Sequence, residues 1–224
     1  MGSQTKSPEP AGTLVHLLSV GPFGLAVGRH LRALCKDVCE TIVVRDSTPP
    51  LASWPGSRMT ILATWRPVPD LCSALNDYSF ERHQPFVPLV MNSQCLSLGP
   101  IVMPGVGGCW ACWLRRARQH DTWPQEQAAL AHFYKANPEL GPNGYLEPFA
   151  LMGAARLAQT IQALDSSTAI PGQIWTIDLI TRRIVVGTLV GIHGCPRCGL
   201  GRAEDSRSIA EMRSELSYLW SHEG

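Results

Sequence analysis

Four of the eight cysteines have the spacing of metal ligands. Cys109 and Cys112 enclose two residues, and Cys195 and Cys198 repeat that spacing later in the chain. Two intervening residues let both sulfurs of a pair face one ion, while backbone N–H groups of the turn stabilise the thiolates. The two pairs therefore predict a zinc site. Since all four ligands would be thiolates, no coordination position is left for water or substrate, and the predicted zinc is structural.

The same cysteines could instead form a redox pair or be unrelated thiols. A thioredoxin-like pair would open a helix within a βαβ unit, whereas Cys195 follows a predicted hairpin and a glycine. His193 is a rival ligand, although the thiolate set is complete without it. Cys95 has no base beside it in the sequence, so no catalytic residue is assigned. The remaining cysteines are interpreted as core thiols because they lie among apolar residues: Cys35, Cys39, Cys72 and Cys95.

Composition excludes several classes of protein. Hydrophobic residues make up 45% of the chain and charged residues 17%, which is typical of a globular domain with a buried core. A net charge of +1 gives no electrostatic reason to expect a nucleic-acid partner. No apolar run reaches the roughly 18 residues of a membrane span, and the polar N-terminus has no signal-peptide core. We therefore expect a cytoplasmic protein whose cysteines bind metal rather than form disulfides.

The hydrophobic pattern predicts an α/β domain. LVHLLSV is a continuous apolar run that ends at a glycine, as in a strand buried on both faces. A helical segment and a second strand, ETIVVRDS, follow, which is the opening of a doubly wound α/β unit. Further strands are predicted at MTILATW, PFVPLVM and SLGPIVM, with a helix at PDLCSALNDYSFERH. A long helix, PFALMGAARLAQTIQAL, and a hairpin, QIWTIDLITRRIVVGTLVG, precede the second cysteine pair.

Three regions are predicted along the chain. Residues 1–12 are a polar, disordered tail, and residues 13–199 form the α/β domain that the cysteine site closes. Residues 200–224 form a linker and an amphipathic helix, in which the apolar side chains share one side: Ile209, Met212, Leu216 and Leu219. That helix could contact a partner or pack on its own domain.

These elements, in this order, resemble the ThiF, MoeB and ubiquitin-activating superfamily of adenylating enzymes. More narrowly, the segment from LGPIVMPG through the first cysteine pair and a basic stretch to DTWP resembles a group of ThiF-like proteins. That group comprises the cyclodehydratase partner, leader-peptide-binding proteins of azole-forming ribosomal peptide natural-product biosynthesis. The resemblance covers about residues 13–199. It implies a Rossmann-like sheet domain with helices on both faces, a structural zinc that pins its last strands and helix together, and a homodimer.

The resemblance also implies a nucleotide pocket after the first strand. The family carries GxGGxG there, whereas SVGPFG keeps Gly21 and Gly24 but has Ser19 and Pro22 in place of glycines. Pro22 removes a backbone donor that a phosphate would use. Asp46 stands where the family keeps its ribose-binding acid.

Two further parts of that pocket are missing. STPPLASWPG replaces the family's Asn, Arg and Gln that contact the triphosphate. The family also has a magnesium-binding Asp after the third central strand. The corresponding segment of this chain is LATWRP, which has no carboxylate, and the next acid is Asp70. Without it little holds Mg²⁺ against the phosphates. We interpret Gly21, Gly24 and Asp46 as a vestigial nucleotide pocket, and ATP binding is not expected.

The function that the resemblance implies is a non-adenylating scaffold in bacteriocin or thiazole/oxazole-type peptide biosynthesis. It would assist a YcaO-type cyclodehydratase or a related tailoring enzyme on a precursor peptide. Only residues 1–12 precede the domain, where the family has a leader-binding winged-helix domain, so a separate protein could supply peptide recognition. WLRRARQHDTWP is a candidate contact surface, unless its tryptophans cover the zinc turn. Two alternatives stay open: a divergent ATP-dependent enzyme that adenylates a peptide carboxylate, and a zinc-stabilised dimerisation protein of another pathway.

Overall fold

The computed structural model describes residues 14–43, 54, 56–92, 94–142 and 144–199. Seven strands of the described part form one sheet, with the bounds β1 Val15–Val20, β2 Val38–Val43, β3 Met59–Thr64, β4 Phe86–Met91, β5 Cys95–Leu98, β6 Gln173–Asp178 and β7 Ile184–Thr188. The helices between them are α1 Gly21–Leu34, α2 Pro69–Arg82, α3 Trp110–Gln119, α4 Pro124–Ala136 and α5 Glu147–Asp165.

The sheet is parallel in its first half and antiparallel in its second. The strand order is β2-β1-β3-β4-β5-β6-β7. β1 pairs in parallel with both β2 and β3, and β3 pairs in parallel with β4, whereas β5, β6 and β7 add antiparallel. The order reverses at β1, whose carboxyl end is the switch point at which α/β sheets bind ligands. The predicted α/β class is confirmed.

Helices cover both faces of the sheet, which explains its continuous apolar strands. Every residue of β1 and β3 is buried. On one face, α1 and α5 pack in a cluster that includes Leu17, Phe23 and Leu157. On the other face, α2 and α3 pack in a second cluster that includes Leu62, Leu75 and the four predicted zinc ligands.

One predicted strand is wrong in its extent. The pattern predicted a strand through SLGPIVM, but β5 ends at Leu98. Gly99 adopts a φ of 101°, and Pro100 has no N–H to continue the ladder. Beyond this turn, Val102 forms only an isolated antiparallel bridge with Phe86.

Several predictions fall outside the described residues. Residues 1–12 and 200–224 lie there, and so does Asp46. The N-terminal tail and the C-terminal helix therefore stay predictions. Among the helices that the structure describes, none has both the length and the apolar character needed to cross a membrane.

Candidate metal centre and nucleotide crevice

The structure brings the four predicted cysteines together. Their sulfur atoms all lie within 4.8 Å of one another. The Sγ atoms of Cys109 and Cys195 are 3.6 Å apart, and those of Cys112 and Cys198 are 3.4 Å apart. Four thiolates bound at about 2.3 Å to one tetrahedral zinc would be about 3.8 Å from each other. The group could therefore bind a metal ion, and its donor set and spacing suit zinc.

Two turns hold these sulfurs in place. Cys109 directly precedes α3, and Cys112 lies in the first turn of that helix. The N–H of Ile192 donates to the sulfur of Cys112 at 3.2 Å. In the second turn, the N–H of Gly199 donates to the carbonyl of Cys195, and a Cβ at Gly199 would lie 2.5 Å from that oxygen. The glycine after the second pair is thus required for the turn to close.

The pKa values of the clustered cysteines favour the binding of a cation. A hydrogen bond with Cys198 and burial together raise the pKa of Cys109, and burial raises the pKa of Cys112. The hydrogen bond that Cys109 donates holds the pKa of Cys198 at about 5. Without a cation, Cys198 therefore favours the thiolate form while Cys109 and Cys112 favour the thiol form, because several buried negative charges would repel one another. A divalent metal removes that repulsion, so its binding would release the remaining protons.

Two of the three tryptophans in the candidate contact segment cover the cysteines. Trp110 and Trp113 stack with ring centroids 4.4 Å apart, and both pack in the apolar cluster that contains the four sulfurs. The backbone N–H of Trp110 donates to the side chain of Asn76 at 3.0 Å, which joins α3 to α2. Trp123 is 64% exposed. The arginines and Trp123 thus remain accessible for contacts, whereas the other two rings are structural.

The glycine turn lies at the switch point of the sheet. α1 begins at Gly21, which has a φ of 69°. Gly24 lets α1 approach β3, because a Cβ there would lie 2.4 Å from the carbonyl oxygen of Ala63. Close packing of helix and strand therefore accounts for Gly24 without a ligand.

The indole of Trp65 occupies the space beside this turn. A Cβ on Gly21 would lie 2.4 Å from the indole, and one on Gly141 would lie 2.6 Å from it. Trp65 thus stands between the start of α1 and the segment that leads into α5. That space adjoins the N-terminus of α1, where helices can hold a phosphate. Sequence reasoning noted that Trp65 and its neighbours lack the magnesium ligand, but it missed the indole as a filler of the crevice.

α4 packs over the segment that follows β3. Arg66 is only 1% exposed, and it donates to the carbonyl oxygens of Tyr134 and Pro138. Its guanidinium also lies 4.4 Å from the centre of the Tyr134 ring. Asp70, the first acid after β3, forms an ion pair with Lys135 at 2.8 Å. That carboxylate therefore links α2 to α4.

An acid near the glycine turn was missed by sequence reasoning. Glu40 of β2 accepts a 2.6 Å hydrogen bond from Ser19 and forms an ion pair with Arg32. A Cβ on Gly28 would collide with the Glu40 carboxylate. Glu40 therefore fastens α1 to the edge of the sheet. The signal was present, since Ser19 near the end of the first strand is one of the residues that replace the family's glycines.

The other cysteines stand apart from the candidate metal centre. Burial raises the pKa of Cys72 and also that of Cys95. A nucleophilic cysteine needs the opposite shift. Of the four residues interpreted as core thiols, Cys72 is buried, whereas Cys35, Cys39 and Cys95 are only partly buried. His193, the rival ligand, is not a member of the cluster that the described residues form.

Comparison with known proteins gives structural relatives only. No protein-family model and no curated protein sequence matches the chain. Among solved structures, the heterocyclase TruD matches with a TM-score of 0.60 and 19% identity, over 84% of this chain and 28% of its own. A heterocyclase in complex with substrate and cofactor matches with a TM-score of 0.57 and 18% identity. Escherichia coli MccB matches with a TM-score of 0.59 and 15% identity, over 84% of this chain and 66% of its own.

These matches concern the fold. The chain corresponds to 28% of TruD and 25% of the second heterocyclase, so most of each heterocyclase has no counterpart in it. A further MccB structure, described as a microcin C7 biosynthetic enzyme in complex with N-formylated MccA, matches with a TM-score of 0.59. The chain therefore has the fold that the TruD heterocyclase and MccB share, which confirms the fold expected from the resemblance.

Proposed function

We propose that this chain is a zinc-stabilised, non-adenylating partner protein in the biosynthesis of a ribosomal peptide natural product. It would assist a YcaO-type cyclodehydratase or a related tailoring enzyme that modifies a precursor peptide. The proposal is supported by the solved relatives, which are heterocyclases and a microcin biosynthetic enzyme. Because most of the heterocyclase length has no counterpart in this chain, the modifying chemistry would belong to other regions or proteins.

The observation that carries the non-adenylating role is the position of Trp65. Its indole fills the space beside Gly21, at the switch point where a nucleotide would bind. Pro22 removes a backbone donor at the same place. Asp70, the acid nearest after β3, forms a surface ion pair with Lys135, which supports a role other than magnesium binding. Gly21 and Gly24 would then be kept for packing, and no residue would carry out a chemical step.

Zinc in this role would be structural. Cys109, Cys112, Cys195 and Cys198 would hold it and leave no open coordination position. It would tie the start of α3 to the turn after β7 and thereby fix the basic outer surface of α3 relative to the sheet. The partners would be a precursor peptide, the YcaO-type enzyme or a separate peptide-recognition protein. A cytoplasmic homodimer is the expected form.

The alternative is a divergent adenylating enzyme that activates a peptide carboxylate. One observation favours it: the same fold is found in an MccB structure described as containing ATP. In this reading Trp65 would have to move and Asp46 would bind the ribose. The two functions differ in one measurable property, the affinity for Mg·ATP.

Calorimetric titration of the zinc-loaded protein with Mg·ATP tests the proposal. We expect no heat of binding for the native chain and none for Trp65→Ala, since the variant opens the crevice without supplying a magnesium ligand. One-to-one binding that disappears in Asp46→Ala would instead establish the adenylating alternative. Pull-down of a YcaO-type enzyme, and stimulation of its activity by the native chain, test the partner role separately.

A further inference from the structure

A cleft lies between the start of α2, the end of α3 and α4, and it does not include the glycine turn. Its volume is about 490 Å³. Proline and aliphatic side chains form most of its wall. Five acidic or basic side chains line it: Arg66, Asp70, Arg118, His132 and Lys135. We refer to it as the α2–α4 cleft.

The cleft has an excess of positive charge. Lys135 and Asp70 form an ion pair and offset each other. Arg66 and Arg118 add two permanent cations. Arg66 is recessed in the wall, where the carbonyls of Tyr134 and Pro138 fix its position. Positive groups at a concave, partly apolar surface concentrate the field and attract anions.

Arg118 is the cation best placed to receive a ligand. It is exposed, and within the part of the chain that the structure describes it makes no hydrogen bond or ion pair. A guanidinium binds a carboxylate through two parallel hydrogen bonds, which gives direction as well as affinity. Arg118 therefore keeps its donors available at the mouth of the cleft.

We propose that the α2–α4 cleft binds the carboxylate side chains of an acidic peptide segment. The inference rests on the proposed function, because it names the kind of peptide that such a partner protein would hold. The cleft has the size of a site for one or two side chains, and its aliphatic wall suits their methylene groups. A nucleic acid would need a wider basic face, and the net charge of the chain is only +1.

Fluorescence anisotropy of a fluorescein-labelled hexaglutamate peptide, titrated with the full zinc-loaded chain, tests the cleft. We expect Arg118→Gln to weaken binding about tenfold, since one charge-assisted contact is lost. Asp70→Asn should tighten binding about threefold, because it removes the one carboxylate of the cleft. Arg115→Gln is the matched control: it removes the same charge from the same helix but does not line the cleft. Its expected effect is less than twofold.

Four results would overturn the proposal. They are unchanged binding in Arg118→Gln, an equal loss in Arg115→Gln, equally tight binding of a labelled hexaglutamine peptide, and weaker binding in Asp70→Asn. A competition experiment separates carboxylates from phosphate groups. If inorganic phosphate at about a hundredfold excess over the protein displaces the peptide completely, and NaCl at the same ionic strength does not, the cleft is a site for phosphate groups instead. The assay contains no partner enzyme. Peptide binding without stimulation of a YcaO-type enzyme would therefore count against the proposed function alone.

Discussion

The candidate metal centre and the glycine turn are both marked by short motifs, but the structure surrounds them differently. At the metal centre, all four sulfurs converge within 4.8 Å. At the turn, the indole of Trp65 lies 2.4 Å from the position that a Cβ on Gly21 would take. The same domain thus combines four converging sulfurs with a glycine turn against which an indole packs.

The difference follows from how many parts each site requires. Four thiolates on two turns are sufficient to hold zinc. A nucleotide pocket needs donors, an acid for magnesium and free space, and these come from several distant elements. Loss of one such part removes binding but leaves the sheet intact. Close packing of α1 on β3 accounts for Gly24 without a ligand, so a glycine turn alone is weak support for nucleotide binding.

The largest expected effect comes from breaking the metal centre. Cys112→Ser removes a buried ligand that also accepts a hydrogen bond from Ile192. We expect loss of bound zinc and a fall of more than about 3 kcal/mol in the free energy of unfolding, because binding energy at a structural site is folding energy. Elemental analysis and thermal denaturation measure the two effects.

Cys39→Ser is the control for this prediction. Cys39 lies on β2, outside the cluster of four sulfurs. Its substitution should leave the zinc content at one ion per chain and cost less than about 1 kcal/mol. Full zinc occupancy in Cys112→Ser would show that the four cysteines are not one site.

A double-mutant cycle at the glycine turn should give the next largest effect. Gly21→Ala places a Cβ within collision distance of Trp65 and forces a residue with a side chain into a φ of 69°. We expect a cost of about 2 to 3 kcal/mol in the native background. In a Trp65→Ala background the collision disappears, so only about 1 kcal/mol of backbone strain should remain. Chemical denaturation of the four proteins gives the coupling energy.

Zero coupling between the two substitutions would contradict the close approach of the indole to the turn. It would also remove the main support for a filled crevice. Coupling above 1 kcal/mol, together with no Mg·ATP binding in Trp65→Ala, would mean that the missing acid as well as the indole prevents nucleotide binding.

The candidate metal centre could be predicted from the sequence more fully than the glycine turn. The grouping of the four cysteines was predictable, because two residues between paired cysteines are a local spacing rule and the fold only has to bring the two pairs together. Trp65 could not be recognised as a filler, since its contacts with Gly21 and Gly141 join segments far apart in the chain. β1 and β3 were predictable as buried runs. β5 was predicted too long, because the pattern of apolar residues continued past the turn at Gly99.

Acid should act on the sheet as well as on the metal centre. His16 of β1 is fully buried, and burial lowers its pKa from 6.5 to about 4. The pKa of His16 is lower in the folded chain than in the unfolded chain. Its contribution to the free energy of unfolding is therefore present above pH 6.5 and is lost as pH falls toward 4. At pH 5 the expected loss is about 2 kcal/mol. Denaturation curves of the native chain and His16→Leu should differ in slope across that range.

The effect of His16 has to be separated from the loss of zinc in acid. Protonation of thiolates also removes metal in acid, so total stability falls for two reasons. His16→Leu should remove only the part that belongs to the sheet and should leave the pH of zinc release unchanged. A variant whose stability keeps the native dependence on pH would contradict the assignment to His16.

The smallest effect is expected at the ion pair between the metal centre and α2. Arg197, within the second cysteine pair, lies 2.6 Å from the carboxylate of Asp77. Both side chains are more than a third exposed, so solvent screens the pair. Arg197→Gln should therefore cost less than about 1 kcal/mol and leave zinc bound. Loss of zinc in this variant would mean that metal binding depends on α2 as well as on the four thiolates. Like a nucleotide pocket, the metal centre would then depend on several separate elements of the fold.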